Sequence, residues 1–118
     1  MKVTRIYPDN EGETHFEDVD IQLENFIGDI FRRSKTLKAT GMSFSAFIGA
    51  LAESWHTAPR KQAIIILNGE VDLAVSDGSK RRFGPGHVLI LEDTTGKGHT
   101  THSVDGKVRE EVWVDLEQ

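Results

Sequence analysis

Two clusters of polar side chains lie far apart in the sequence, and each could do chemistry. The first cluster holds His56, Arg60 and Gln62, and the second holds Asp93, His99 and His102. Imidazole exchanges a proton near neutral pH, so His56 and His99 are candidate acids or bases, with Asp93 as a third catalytic candidate. This chemistry requires a fold that brings the two clusters into one pocket.

The neighbours of His56 are candidates for binding a substrate. Arg60 could hold a carboxylate or a phosphate through two hydrogen bonds, and Gln62 and Trp55 could complete the site. Ordinary roles remain open for the same residues. Arg60 could be an exposed charge after Pro59, Trp55 could belong to the core, and Asp93 could cap backbone amides of its own loop.

The segments around these clusters read as β-strands. Residues 63–67 and 88–91 are apolar throughout, which is typical of strands covered on both faces. Residues 71–75 alternate between apolar and other side chains, as a half-buried strand does. The pairs Asn68-Gly69 and Asp77-Gly78 predict tight hairpin turns.

The last strand-like segment, residues 108–114, also places its side chains on two faces in turn. Its valines, Val108, Val112 and Val114, share one face, so Trp113 and the charged residues beside it are expected on the outer face. Short strands between closely spaced turns predict an all-β barrel or sandwich. Helix-like spacing of apolar residues allows at most a short helical segment near residues 25–33. No linker divides the chain, so we expect residues 1–118 to form a single domain.

Composition narrows the classes of function. The chain of 118 residues has a net charge of −5 and no cysteine. The acidic balance argues against a nucleic-acid partner, which needs a basic surface. No apolar run approaches the length that spans a bilayer, so we expect no membrane partner and a cytoplasmic location. The chain has no thiolate for a disulfide or a metal.

Residues 55–102 resemble the two-motif core of the cupin superfamily. Gln62 stands at the glutamate position of the first motif, before Gly69, and His56 lies within one residue of a histidine position. Gly86 and His99 match the second motif. The pattern W-H-x-A-P-R-x-Q followed by L-E-D-T-T-G-K-G-H is similar to a subgroup of small stand-alone cupins. The resemblance implies a double-stranded β-helix barrel, also called a jelly roll.

The resemblance also implies a divalent metal, Zn, Fe, Mn or Ni, with His56, Gln62, His99 and His102 as the possible ligands. The metal motif is degenerate here. One histidine of the first motif is missing, the glutamate is Gln62, and the proline and final asparagine of the second motif are absent. A metal-free pocket, with the histidines held by hydrogen bonds, is the alternative.

The expected function is that of a small cupin barrel. It would bind a small polar or anionic metabolite and act on it as an isomerase, lyase or dioxygenase, with or without a metal. The alternative is a module that binds a small ligand without turnover, so the sequence leaves open whether the protein is an enzyme. The apolar outer faces of residues 63–67 and 88–91 predict a homodimer, because one small sheet cannot cover both sides of these strands.

Overall fold

The computed structural model describes residues 1–49, 52–104 and 106–118, and the regular secondary structure in these ranges is β-strand. The strands are β1 (Lys2–Pro8), β2 (Thr14–Asp20), β3 (Glu24–Ile27), β4 (Phe31–Arg33), β5 (Ala39–Phe47), β6 (Ala52–His56), β7 (Gln62–Asn68), β8 (Val71–Val75), β9 (Lys80–Phe83), β10 (Val88–Leu91), β11 (His99–Ser103) and β12 (Arg109–Leu116). No helix in these ranges is long and apolar enough to cross a membrane.

The strands form two main sheets and a separate hairpin. The six-stranded sheet has the order β2-β1-β10-β7-β12-β5, and the four-stranded sheet has the order β6-β11-β8-β9. Ile64, Ile66 and Leu89 of the first sheet share one buried cluster with Leu73 and Val75 of the second, so the sheets pack face to face. This arrangement is the jelly roll expected from the sequence.

The strand β8 confirms the alternation read from the sequence. Val71, Leu73 and Val75 are buried, and the residues between them are partly exposed. The Asp77-Gly78 turn joins β8 to β9 as a hairpin, as predicted. The backbone closes there through Val75 N–H, which donates to the Ser79 carbonyl at 3.0 Å.

The Asn68-Gly69 turn is not a hairpin, contrary to the prediction. It carries the chain from β7 in the six-stranded sheet to β8 in the four-stranded sheet. Gly69 has a φ of +78°, and a Cβ there would lie 2.6 Å from the carbonyl oxygen of Val108. The glycine is needed because the chain crosses close to another backbone at this corner between the sheets.

The segment near residues 25–33 contains no helix. It is a hairpin of β3 and β4, in which Asn25 pairs with Arg32 and Ile27 pairs with Phe31. Gly28 turns the chain with a φ of +51°. The apolar residues that suggested a helical spacing are β-branched or aromatic, and such side chains suit a strand at least as well.

The faces of β12 are the reverse of the expectation. Arg109, Glu111 and Trp113 point to the interior, and Val112 and Val114 face outward beside Ile65 and Ala63 of β7. The six-stranded sheet is apolar on its outer face too, so the valines did not mark the interior. The polar residues of β12 lie inside because they line a pocket.

Candidate functional site

The structure brings His56 and His99 together on neighbouring strands. His99 of β11 is the register partner of His56 of β6. Their ring centroids are 4.5 Å apart, and both rings line the same pocket. The two polar clusters of the sequence therefore meet at these histidines, side by side along one sheet.

Gly98 permits this close approach. Its φ is +77°, and a Cβ there would lie 2.1 Å from the carbonyl oxygen of His56. Any side chain at this position would push the loop away from β6. The backbone of the loop reaches β6 because residue 98 is glycine, and His99 follows directly beside His56.

Asp93, which does not itself line the pocket, orients His99. Its carboxylate is 0% exposed, and its Oδ2 accepts a hydrogen bond from Nδ1–H of His99 at 2.5 Å. The other oxygen, Oδ1, has no hydrogen-bond partner among the described residues. A carboxylate that accepts the Nδ1 proton fixes the neutral ring as the Nδ1–H tautomer, so the Nε2 of His99 is left with a lone pair.

His56 is oriented by its own strand. Its Nδ1–H donates to the carbonyl oxygen of Ser54 at 2.7 Å, and its Nε2 lies 3.5 Å from Oε2 of Glu53. Glu53 and His56 both face the pocket although they are three residues apart. The strand register shifts between His99 and Thr101, so a bulge restores Glu53 to the inner side.

The pocket lies between the two sheets. Its cavity volume is about 60 Å³, so it has space for a few water molecules or for a ligand of few heavy atoms. Apolar side chains of both sheets form most of the wall, including Ile64, Leu73 and Leu89. Polar side chains converge on it from β6, β11 and β12. An apolar cavity with few convergent polar groups is the common form of a small-molecule site.

Arg109 and Glu111 are pocket residues that the sequence analysis did not identify. They are 2% and 4% exposed, and Nε of Arg109 lies 3.3 Å from Oε2 of Glu111. Burial lowers the pKa of Arg109 and raises the pKa of Glu111. The available signal was their spacing of two with Trp113, which places the three side chains on one face of the strand.

Three other candidate residues lie elsewhere. Gln62 is buried, but its amide donates to Oδ1 of Asp115 at 2.9 Å, and Arg60 is an exposed charge 3.6 Å from the same carboxylate. His102 is exposed on β11 and does not line the pocket. The expectation that these side chains share a site with His56 and His99 is therefore not met.

Trp55 lies outside the pocket as well. It precedes His56 on β6, and successive side chains of a strand point to opposite faces, so Trp55 is 53% exposed. It forms neither a wall of the pocket nor a part of the core.

The residues at the pocket do not fit the metal implied by the cupin motifs. Of the possible ligands, only His56 and His99 come together, because Gln62 and His102 are directed elsewhere. In the ranges that the structure describes, no group of three or more His, Cys, Asp or Glu residues could hold a metal ion. A zinc or iron site of three or four protein ligands is therefore not assembled by these side chains.

Comparisons with known proteins give the fold. No family model matches the sequence, and no curated protein matches it. The Cnp3 cupin domain of Schizosaccharomyces pombe is similar in structure, with a TM-score of 0.56 and 9% identity over 99% of this chain and 88% of that one. A cupin-2 domain protein of Shewanella frigidimarina gives a TM-score of 0.45, 13% identity, and coverage of 75% and 86%. The likeness to the Cnp3 cupin domain agrees with the two packed sheets described above, and the chain has the cupin-type jelly-roll fold.

Proposed function

We propose that the chain is a small single-domain member of the cupin superfamily, of the W-H-x-A-P-R-x-Q subgroup. In this proposal it binds a small polar or anionic metabolite in the pocket and moves a proton on it. The reaction is then of the isomerase or lyase type. A dioxygenase, the third type expected from the sequence, needs a metal donor set that these side chains do not assemble.

The observation that carries the proposal is the hydrogen bond from His99 to Asp93. A buried carboxylate 2.5 Å from Nδ1 holds the ring in one orientation and stabilises the imidazolium that forms when Nε2 takes a proton. The Ser54 carbonyl likewise holds the ring of His56 in one orientation. Two imidazoles with ring centroids 4.5 Å apart can act on adjacent atoms of one ligand, the neutral ring taking a proton at Nε2 and the ring that is already protonated giving one.

Proton transfer can be measured without knowing the substrate. A panel of small 2-oxo acids, 2-hydroxy acids, sugars and sugar acids is first screened for thermal stabilisation of the protein. Each stabilising compound is then incubated with the protein in deuterium oxide. Proton NMR follows the loss of the signal from the C–H on the carbon adjacent to its carbonyl or carboxylate group. We expect exchange with the wild-type protein, and a rate lower by roughly a hundredfold or more in His99→Gln.

His102→Gln is the matched control, because His102 lies on the same strand and is exposed outside the pocket. It should exchange like the wild-type protein. An equal rate in His99→Gln would contradict the proposal. Compounds that bind the wild type but not His99→Gln, and never exchange, would favour the second candidate, a binding module without turnover. The small cavity of about 60 Å³ limits either candidate to a ligand of few heavy atoms.

We also propose that the protein is a homodimer, and that the outer face of the six-stranded sheet packs against a second copy. This face is formed by Met42, Phe44, Ile65, Val112 and Val114, and Phe44 is 72% exposed. Apolar patches of this kind are commonly covered by a partner. The cytoplasmic location expected from the sequence stays a prediction.

A further inference from the structure

The ion pair of Arg109 and Glu111 lies in an unusual place for two charges. Both side chains come from the inner face of β12, both are nearly inaccessible to solvent, and both line the pocket of His56 and His99. Removing charges from water is costly unless hydrogen bonds replace the water. The buried pair therefore needs further hydrogen-bond partners to offset the loss of water.

The guanidinium of Arg109 is incompletely bonded. Its Nε and Nη1 are buried and have no hydrogen-bond partner among the described residues, although Nε lies 3.3 Å from Glu111. The ring of Phe47 covers one side of the guanidinium, with 4.2 Å between the guanidinium carbon and the ring centroid. Buried N–H groups without a protein partner are uncommon, and those of Arg109 belong to a side chain that lines the pocket, where the oxygen of a ligand can accept from them.

The carboxylate of Glu111 does not fill that role. Its Oε1 accepts a hydrogen bond from Nε1–H of Trp113 at 3.2 Å, and burial raises its pKa, which favours the neutral form. Glu53 also lines the pocket, but it lies beside His56, 3.5 Å from Nε2. Arg109 therefore has an acidic neighbour 3.3 Å from its Nε, but its Nε and Nη1 form no hydrogen bond among the described residues.

We propose that Arg109 anchors the carboxylate of a small carboxylic acid, with the hydroxyl or carbonyl oxygen next to that carboxylate directed at the imidazoles of His56 and His99. Arginine binds a carboxylate with two parallel hydrogen bonds along one edge of the guanidinium, so a ligand carboxylate would accept from one of the two unpartnered groups, Nε or Nη1, together with Nη2. The cavity limits the ligand to few heavy atoms, and short 2-oxo and 2-hydroxy acids fit that limit. This inference rests on the proposed function, because it places the ligand in the same pocket.

Calorimetric titration with pyruvate and lactate, each paired with its neutral amide, tests the anchor. The wild-type protein should bind each acid at least about tenfold more tightly than its amide, because only the acid carries the charge. Arg109→Lys keeps the charge but loses the fork of donors, so we expect affinity for the acids to fall roughly tenfold or more, and affinity for the amides to fall less because they accept fewer hydrogen bonds. Arg60→Lys, outside the pocket, is the control and should bind like the wild type.

Several outcomes would overturn the anchor. Equal affinity of the wild type for acid and amide would do so even if Arg109→Lys failed to fold. A folded Arg109→Lys with unchanged preference for the acid would assign the ion pair a structural role instead. The proposed proton transfer is judged separately, because acids that bind through Arg109 without deuterium exchange would support the anchor and refute the transfer. Deuterium exchange on neutral compounds, at a rate unchanged in Arg109→Lys, would support the proton transfer and refute the anchor.

Discussion

Gly98 shows how a residue without a side chain determines the chemistry of its neighbours. A Cβ at this position would overlap the backbone of His56, with only 2.1 Å to its carbonyl oxygen. The loop that carries Asp93 and His99 can meet β6 because this space is free. The distance between the two imidazoles thus depends on a residue that does no chemistry itself.

Gly98→Ala should lower the free energy of unfolding by more than the roughly 1–2 kcal/mol that a positive φ costs a residue with a Cβ. The additional loss comes from displacing the loop, which should also weaken ligand binding at the pocket. Gly78→Ala is the matched control, because Gly78 has a φ of +96° and open space where a Cβ would stand. Urea unfolding measures both variants, and equal losses in the two would contradict the close approach.

Residue types predicted part of the site. His56, His99 and Asp93 could be selected because imidazole and carboxylate side chains stand at the ends of strand-like runs. Arg109 and Glu111 could be placed on one face by their spacing, but not inside the molecule, because the valines of the opposite face are the usual mark of the buried side. Their burial depends on the cavity behind them, which is formed by strands distant in sequence.

At the scale of elements, the turn after β1 is tied to the turn after β8 by one histidine. His15 bonds the carboxylates of Asp9 and Asp77 through its two ring nitrogens, at 2.7 and 2.8 Å. The adjacent loop joins them, because Lys97 pairs with Glu13 at 2.8 Å. These contacts support the loop that ends at His99.

The His15 contacts should depend on pH. The hydrogen bond to Asp9, followed by the one to Asp77, raises the pKa of His15 above its usual 6.5. The stabilisation is therefore complete below pH 6.5 and is lost as the pH rises through the higher pKa of the folded state. Melting temperatures should show that wild type exceeds His15→Gln at pH 6 and that the gap narrows by pH 9. A gap of the same size at both values would refute this.

Strands were easier to predict than the way they connect. The alternation in β8 and the Asp77-Gly78 hairpin follow from local periodicity and turn chemistry. The Asn68-Gly69 corner and the hairpin of β3 and β4 do not, since each depends on which strands lie beside them. A glycine with positive φ serves a hairpin and a crossing between sheets equally well.

At the scale of the whole molecule, the hairpin of β3 and β4, here called the arm, extends from the body. The radius of gyration is 15.0 Å, above the roughly 13.5 Å typical of a compact chain of this length. The arm pairs with neither main sheet and exposes Phe26, Ile27 and Ile30. A lone two-stranded hairpin has little stability in water, so it needs a surface to cover it.

Charge favours a second copy as that surface. Residues 24–38 carry four basic and two acidic side chains, a charge of +2, so the rest of the chain carries −7 to give the net −5. The arm itself is neutral, and Lys35 and Lys38, which follow it, supply the positive charge of residues 24–38. We propose that this segment is complementary in charge to the body of another copy, whose outer sheet face is also apolar.

Light scattering at micromolar concentration should therefore give the mass of a dimer, twice 13.2 kDa. Phe44→Asp places a charge in the middle of the outer face, and a desolvated charge opposes association. The variant should therefore give the monomer mass without loss of β-structure. Trp55→Asp places the same charge at an exposed aromatic of the other sheet and should leave the dimer intact. A wild-type protein that is monomeric at this concentration would contradict the proposal.

The tautomers of the two imidazoles test whether His56 and His99 present free Nε2 atoms to a ligand in the pocket. Long-range proton–nitrogen NMR correlations of the rings report which nitrogen carries the proton. We expect Nδ1–H for neutral His99, bonded to Asp93, and Nδ1–H for neutral His56, bonded to Ser54, so that both Nε2 atoms respond when a ligand enters the pocket. Neutral rings protonated at Nε2, or Nε2 signals that a bound ligand leaves unchanged, would contradict it.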